Sequence, residues 1–371
     1  MSGPPATARD LGELRFIEIG GPFIKYAFPE QTHCFSSWPM ANIAGLPVPP
    51  GGDGLEPAWR LPRLLADPGI AAIVCHPTMF APWDPRWFIR AIFNRRFFRA
   101  GLPLTSAWGP QLLRRRVAAP IAVIDREDLP VVNRSNLFLL DRATAYFKRE
   151  LPSDRWKVFV KTGHHGVPTP RYRVVRRHRR RIETLLPISL GLKLGSQRYF
   201  PPATEKSVDV FFAGRIEGSS TVRKQGFAEL LALREQGVTL DIAQGKLPLE
   251  EFYRLAAAAR LVWSPEGFGW DCFRHYEAPM CGSVPLINNP TIERYRPLIG
   301  GKHAVYYDIE PGGLTRAVLA ALADRERLAA MAAEAKAFVE LHHTPIAIAR
   351  YILEATLSRR RTFQSSQVAN F

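Results

Sequence analysis

The stretch from Ser264 to Ile287 holds the side chains best spaced for chemistry: Glu266, Arg274 and Glu277, with Gly267 and Gly269 between the first two. Glycines at these positions let the backbone approach a ligand with no Cβ in the way. A helix opening near Asp271 or Cys272 aims free N–H groups at an anion, and a diphosphate fits that description. Arg274 and Glu277 stand three residues apart on that helix and share a face. The guanidinium can fork onto phosphate oxygens, and the ionised carboxylate can accept two hydrogen bonds from a ribose diol. Glu266, back in the loop, is free to meet sugar hydroxyls.

Positioning such a loop takes a strand before it and a helix and strand after it. Residues 261–264 and 284–287 are short apolar runs of strand type, and Gly282 is placed to end the helix between them. A strand–loop–helix–strand unit puts the loop at the carboxyl end of the first strand, where open parallel sheets bind ligands. A second unit precedes it. Residues 208–215, Val-Asp-Val-Phe-Phe-Ala-Gly-Arg, run from a strand into a glycine turn, with a helix expected after Ser220. Across the second half, strands at 208–213, 238–242, 261–264, 284–287 and 303–307 alternate with helices at 221–235, 249–259, 272–281 and 313–322. This alternation predicts parallel strands covered by helices on both faces, a Rossmann-like domain. Asn288 and Asn289 follow the strand at 284–287 and either place amides near the cleft or turn the chain.

On these residues the chain resembles GT-B glycosyltransferases of the glycosyltransferase group 1-like kind. Their donor loop reads Glu-Gly-Phe-Gly, as Glu266, Gly267, Phe268 and Gly269 do here, followed by a second glutamate, a glycine and a Pro-Leu-Ile strand. The common retaining version has seven residues between its glutamates, whereas ten separate Glu266 from Glu277. The run from Phe273 to Ala278, with Gly282 and Pro285 after it, is similar to exostosin-like enzymes, so stereochemistry does not carry over. The resemblance implies an α/β GT-B fold, two Rossmann-like domains facing each other across a cleft. It implies a nucleotide-sugar donor, bound as a substrate with no separate cofactor. Arg215, Arg223 and Lys224 would neutralise the diphosphate leaving group, beside Arg274 and the loop. It also implies a metal-independent reaction, and the chain lacks an Asp-x-Asp triplet of the metal-holding type.

The 371 residues exceed the length at which one core keeps growing, so two domains are expected. We place an acceptor-side domain at 1–195, the donor domain at 196–345, and a closing helix and tail at 346–371 that pack back on the first domain. Residues 1–200 carry 30 Lys and Arg against 15 Asp and Glu, and residues 201–371 carry 20 against 19. Nearly all of the formal charge of +16 therefore sits in the first half, which is expected to meet something anionic. Its densest run is Arg176 to Arg181, flanked by Lys161, Arg171 and Arg173, read as either a solvated loop or a binding element. Strands are expected at 16–19, 70–75, 121–124, 136–140 and 157–160. The aromatic and arginine-rich helix at 86–99 either faces the core with snorkelling arginines or lies on a membrane surface.

Cys34, Cys75, Cys272 and Cys281 have no metal-ligand spacing and suit a reducing compartment. The first ten residues lack an apolar signal core, and no eighteen uncharged apolar residues run together. The expected location is the cytoplasm, with peripheral contact at the inner membrane face. The expected acceptor is an anionic glycan or a lipid-linked one; nucleic acid is not the expected partner.

An inverting reaction needs a general base from the first domain. Asp125 and Asp128 follow the strand at 121–124, where strand ends feed the cleft, and His164, with His165 beside it, is the alternative; a turn or helix cap is the plain reading of both aspartates. From the donor side Glu266 completes the catalytic candidates. Two competing classes stay open: a non-catalytic anion- or nucleic-acid-binding protein using the basic half, and a GT-B scaffold that has lost transfer.

Overall fold

Two parallel sheets organise the molecule. The computed structural model describes residues 10–36, 56–78, 108–160, 162–164, 167–168, 176–245 and 247–368. In the first sheet run β1 (Arg15–Ile19), β2 (Thr32–Phe35), β3 (Ile70–Cys75), β4 (Ile121–Asp125) and β5 (Ala145–Lys148). An antiparallel pair, β6 (Thr162–His164) and β7 (Val167–Pro168), precedes β8 (Leu185–Pro187). The sheet order is β2-β1-β3-β4-β5-β8, with every pairing parallel. The second sheet is β10-β9-β11-β12-β13, from β9 (Val208–Gly214), β10 (Leu240–Gln244), β11 (Ala259–Trp263), β12 (Val284–Asn288) and β13 (Val305–Tyr307), again all parallel.

Strands covered on both faces must be apolar at consecutive positions, and these are. Ile17, Ile19, Ile73, Val123 and Tyr146 pack on one face of the first sheet; Phe16, Ala72, Val74, Ala122, Ile124 and Phe147 pack on the other. The first domain's described α-helices are α1 (Phe23–Ala27), α2 (Leu61–Leu65), α3 (Gly109–Leu112), α4 (Leu137–Arg142) and α5 (Arg176–Glu183). In the second domain Val210, Phe212, Leu261 and Trp263 face one way, and Phe211, Ala213 and Val262 the other. Its helices are α6 (Thr221–Ala232), α7 (Leu249–Ala258), α8 (Phe273–Met280), α9 (Gly313–Leu322) and α10 (Arg325–His342). Ser220 caps α6 by accepting from the Arg223 N–H at 3.2 Å, and Gly282 follows α8 at φ 71°, the left-handed conformation that stops a helix. The last helix, α11 (Pro345–Val368), lays Ile348, Ala349, Ile352 and Leu353 on the second face of the first sheet. This is one stripe at helical spacing.

Several first-half elements differ from expectation. Within the expected strand 136–140, Asn136 ends a 3-10 turn and residues 137–140 enter helix α4, and within 157–160 residues 157–159 belong to a 3-10 turn, Arg155–Phe159, that Val160 follows. Short apolar runs carry no periodic signal, and side-chain caps decide both: Asn133 accepts from the Ser135 N–H and Asp154 from the Trp156 N–H. Strands β2, β5 and β8 take their place. The arginine run is helical, not a loop. The expected helix at 86–99, together with Lys161, His165, Arg171 and Arg173, lies outside the described residues.

Both sheets turn their carboxyl edges toward one cleft. Asp128 and Arg149, which follow β4 and β5, there meet the loop that follows β11.

Candidate functional site

The loop between β11 and α8 is held from behind. Trp270 is buried and its indole Nε1 donates to the Asn288 carbonyl at 2.9 Å. Asn288, at the end of β12, accepts from the Glu266 N–H at 2.9 Å and donates from its amide to Glu266 Oε2 at 3.1 Å. His275 donates from Nε2 to the Trp270 carbonyl at 3.0 Å and accepts at Nδ1 from the Ser264 hydroxyl at 2.8 Å. Burial pushes its pKa down to about 3, so the ring is a neutral brace. Phe268 alone projects from the loop, 77% exposed.

Two guanidiniums lie beside this loop. Arg223, in the first turn of α6, is 8% exposed and donates to the Arg215 carbonyl at 3.1 Å and the Pro265 carbonyl at 3.3 Å. Its Nε is buried with no partner among the described residues. Arg274, in the first turn of α8, donates to the Ala213 carbonyl at 2.8 Å with its guanidinium over the Phe212 ring. Burial and then the charge of Arg274 lower the pKa of Arg223 to about 10. Like charges held together out of water are stabilised by an anion between them. The N-cap of α8, Cys272, supplies no side-chain acceptor, so the helix start adds N–H groups to the same place.

The loop's own N–H groups are used differently. Those of Trp270 and Asp271 donate to Glu150 of the first domain at 2.9 and 3.0 Å. Arg149 donates to the Asp271 carbonyl and the Asp128 carboxylate, and Asp271 accepts from the Leu190 N–H at 2.6 Å and the Tyr276 hydroxyl at 2.7 Å. The domains come so close that a Cβ on Gly269 would lie 2.5 Å from Glu150 Oε1 and 3.0 Å from the Asp128 carbonyl. Burial, as the main cause, raises the Glu150 pKa from 4.5 to about 7. The native state then holds this proton more tightly than the unfolded chain does. Its contribution is full below about pH 4.5 and is lost as pH rises through about 7, on the order of 3 kcal/mol. Glu150→Gln removes that dependence, so the urea midpoint of the wild type should fall relative to the variant from about pH 5 to pH 8. A constant difference across that range contradicts this.

The structure brings Glu266, Gly267, Arg223 and Arg274 together, with Gly269 turned to the first domain. Arg215 is on the exposed turn after β9, giving its carbonyl to Arg223, and Lys224 points away to Glu217 at 2.9 Å. Glu277 forms no ion pair with Arg274. It is 1% exposed, and its Oε1 accepts from the Tyr253 hydroxyl and the Lys193 ammonium, each at 2.8 Å. Asp125 is buried, accepting from Tyr146 at 2.8 Å and Lys148 at 3.1 Å, which gives it a structural position instead of a free carboxylate. Asp128 sits on the cleft rim, paired with Arg149. His164 lies in the β6–β7 pair, apart from the two main sheets. Among the described residues, no group of three or more His, Cys, Asp or Glu is placed to hold a metal.

One pair was not foreseen. Glu18, fully buried near the end of β1, accepts from the N–H groups of Phe23, Ile24 and Lys25 at 2.8–3.0 Å, which holds its side chain at the start of α1. His76, directly after β3, donates from Nε2 to Glu18 at 2.9 Å. The other ring nitrogen, Nδ1, belongs to a side chain that is 17% exposed at the carboxyl edge of the sheet. The signal was available: Gly20-Gly21 after one strand and His76-Pro77 after another both mark strand ends.

Two parallel-sheet domains closing on one cleft are the GT-B fold of glycosyltransferases. Sucrose-phosphate synthase from Thermosynechococcus elongatus is 12% identical, the match covering 95% of this chain and 100% of that one with a TM-score of 0.51. An alpha-glucosyltransferase in complex with UDP-glucose and DNA containing an abasic site is 12% identical over 93% and 98% of the two chains, TM-score 0.51. A glycosyltransferase from Rickettsia africae is 7% identical over 94% and 98%, TM-score 0.50. No protein-family model matches the chain, and no curated protein does.

Proposed function

We propose that the protein transfers a sugar from a nucleotide-sugar donor to a glycan, lipid-linked or polysaccharide acceptor. The observation that carries this reading is the pair Arg223 and Arg274, two inward guanidiniums with no carboxylate partner among the described residues, beside a glycine loop. The diphosphate lies between them and the start of α8, and their charge takes the role that a metal ion plays elsewhere in stabilising the leaving group. Glu266 meets the sugar, and Glu277 offers Oε2 to the ribose diol while Tyr253 and Lys193 hold Oε1. Arg215, on the exposed turn, closes over the phosphates. The solved alpha-glucosyltransferase with UDP-glucose bound supports a nucleotide sugar as the ligand class.

The first domain receives the acceptor. Its charge of 30 Lys and Arg against 15 acids over residues 1–200 suits an anionic acceptor and a cytoplasmic protein working at a membrane surface. His76 accepts the proton of the acceptor hydroxyl at Nδ1, and Glu18 holds its tautomer. His76→Ala should lower turnover by about 100-fold or more while leaving nucleoside diphosphate affinity unchanged. Retention of more than half the turnover removes His76 from the reaction.

The test of the function is release of nucleoside diphosphate from a panel of nucleotide sugars, with and without oligosaccharide or lipid-linked acceptors. One donor is expected to turn over slowly alone and faster with acceptor. Binding without release from any donor favours an inert scaffold.

A further inference from the structure

We propose a second anion-binding site, on the face of the first domain opposite the cleft, for a ligand bearing phosphate groups. A concavity of about 820 Å³ lies there, bounded by Pro120 and Ile121 at the start of β4, Thr144 before β5 and Thr184 before β8. These are the amino ends of parallel strands, whereas Asp128, Arg149 and Glu150 lie at the carboxyl ends. The site is therefore separate from the donor cleft and independent of the reading given for it.

Seven arginines line it against two acids, Asp141 and Glu183, a surplus of five positive charges. They come from four places in the sequence: the turn after α3, the end of α4 at Arg142, helix α5 and the return of α11. Asp141 is consumed by two of them, accepting from Arg177 and Arg181 in forked pairs at 2.6–2.9 Å. That clamp fixes α5 and leaves Arg180 beside it. Arg359 reaches across from α11, donating to the carbonyls of Glu183 at 3.1 Å and Thr184 at 3.4 Å. Arg115, Arg116 and Arg180 have exposed guanidinium-bearing side chains and form no ion pair among the described residues.

The shape and lining select the ligand class. The volume lies in the range of small-ligand sites, about 300–1,000 Å³. Clustered arginines match phosphate oxygens by forked hydrogen bonds. No Phe, Tyr or Trp is among the described lining residues, which offer no stacking platform of the single-strand nucleic-acid kind. A compact, multiply charged phosphate fits, whether free in solution or carried as a lipid headgroup. No described helix is long and apolar enough to cross a membrane, so a headgroup here would hold the protein at a surface without insertion.

The triple variant Arg115→Ser, Arg116→Ser, Arg180→Ser tests the site, because these side chains support no ion pair and its thermal midpoint should match the wild type. Two probes are used with full-length protein: inorganic pyrophosphate by calorimetry and phosphatidylglycerol vesicles by sedimentation. The expected result is at least tenfold weaker binding of one or both by the triple variant, with the Arg274→Ala variant retaining that binding. Loss with pyrophosphate alone assigns a soluble ligand, and loss with vesicles alone assigns a headgroup. Equal binding of both probes by wild type and triple variant overturns the proposal. A loss confined to a single-stranded oligonucleotide, titrated alongside these two as a control, also overturns it. Nucleoside diphosphate binding by the triple variant should be unchanged, which separates this result from the fate of the donor site.

Discussion

Replacing Asp271 by alanine is expected to cost about 3–5 kcal/mol of stability, read as a lowered urea midpoint. Its buried carboxylate accepts from Leu190 N–H and Tyr276 hydroxyl, and its charge faces Arg149. Arg149 is itself buried, and its Nε, 3.3 Å from Glu150 Oε1, has no hydrogen-bond partner among the described residues. Removing Asp271 leaves the Tyr276 hydroxyl and the Leu190 amide without their acceptor where water does not reach, and takes one of three carboxylates from the buried Arg149, which keeps Asp128 and Glu150. The effect should not be confined to the second domain, because Leu190 and Arg149 belong to the first-domain side of the contact. A variant within about 0.5 kcal/mol of the wild type would show that the contact does not tie the domains together.

The second large effect concerns the ligand. Arg274→Ala and Arg223→Ala are each expected to weaken nucleoside diphosphate binding about 10- to 100-fold, the worth of one or two charge-assisted hydrogen bonds. Arg274→Lys should recover only part of this, because an ammonium keeps the charge and loses the fork. The two replacements should also differ in the absence of ligand. Arg223 supports the loop through the Arg215 and Pro265 carbonyls, whereas Arg274 holds only the Ala213 carbonyl. Arg223→Ala therefore loosens the loop as well as discharging it. Unaltered affinity in Arg274→Ala would remove the diphosphate from this position.

The loop between β11 and α8 was legible because its signals are local. A strand, two glycines, a helix start and a glycine stop lie within residues 259–282, and local propensity and packing agree there. Glu150 was not legible. It meets the Trp270 and Asp271 N–H groups from 120 and 121 residues away, and nothing in either segment announces the other. The same is true of Glu18 and His76, 58 residues apart, which only the β1–β3 pairing brings side by side. Asp125 shows the converse. Read as the first residue beyond a strand, it is the last residue within it, and Lys148 on the neighbouring strand takes its carboxylate. One position of strand length separates a side chain facing the cleft from one inside the domain. First-half helices and strands were confused where runs of four or five apolar residues lacked periodicity, and the second half escaped this because its elements alternate.

The central claim is that the pocket beside Gly267, Arg223 and Arg274 binds the diphosphate of a nucleotide sugar. Calorimetric titration of the purified protein with UDP, GDP, ADP and CDP, and with their common sugar derivatives, tests it most directly. Saturable one-to-one binding of one nucleotide and its sugar derivative is expected, lost in Arg274→Ala. No binding by any member of the panel, or binding that Arg274→Ala leaves unchanged, contradicts it.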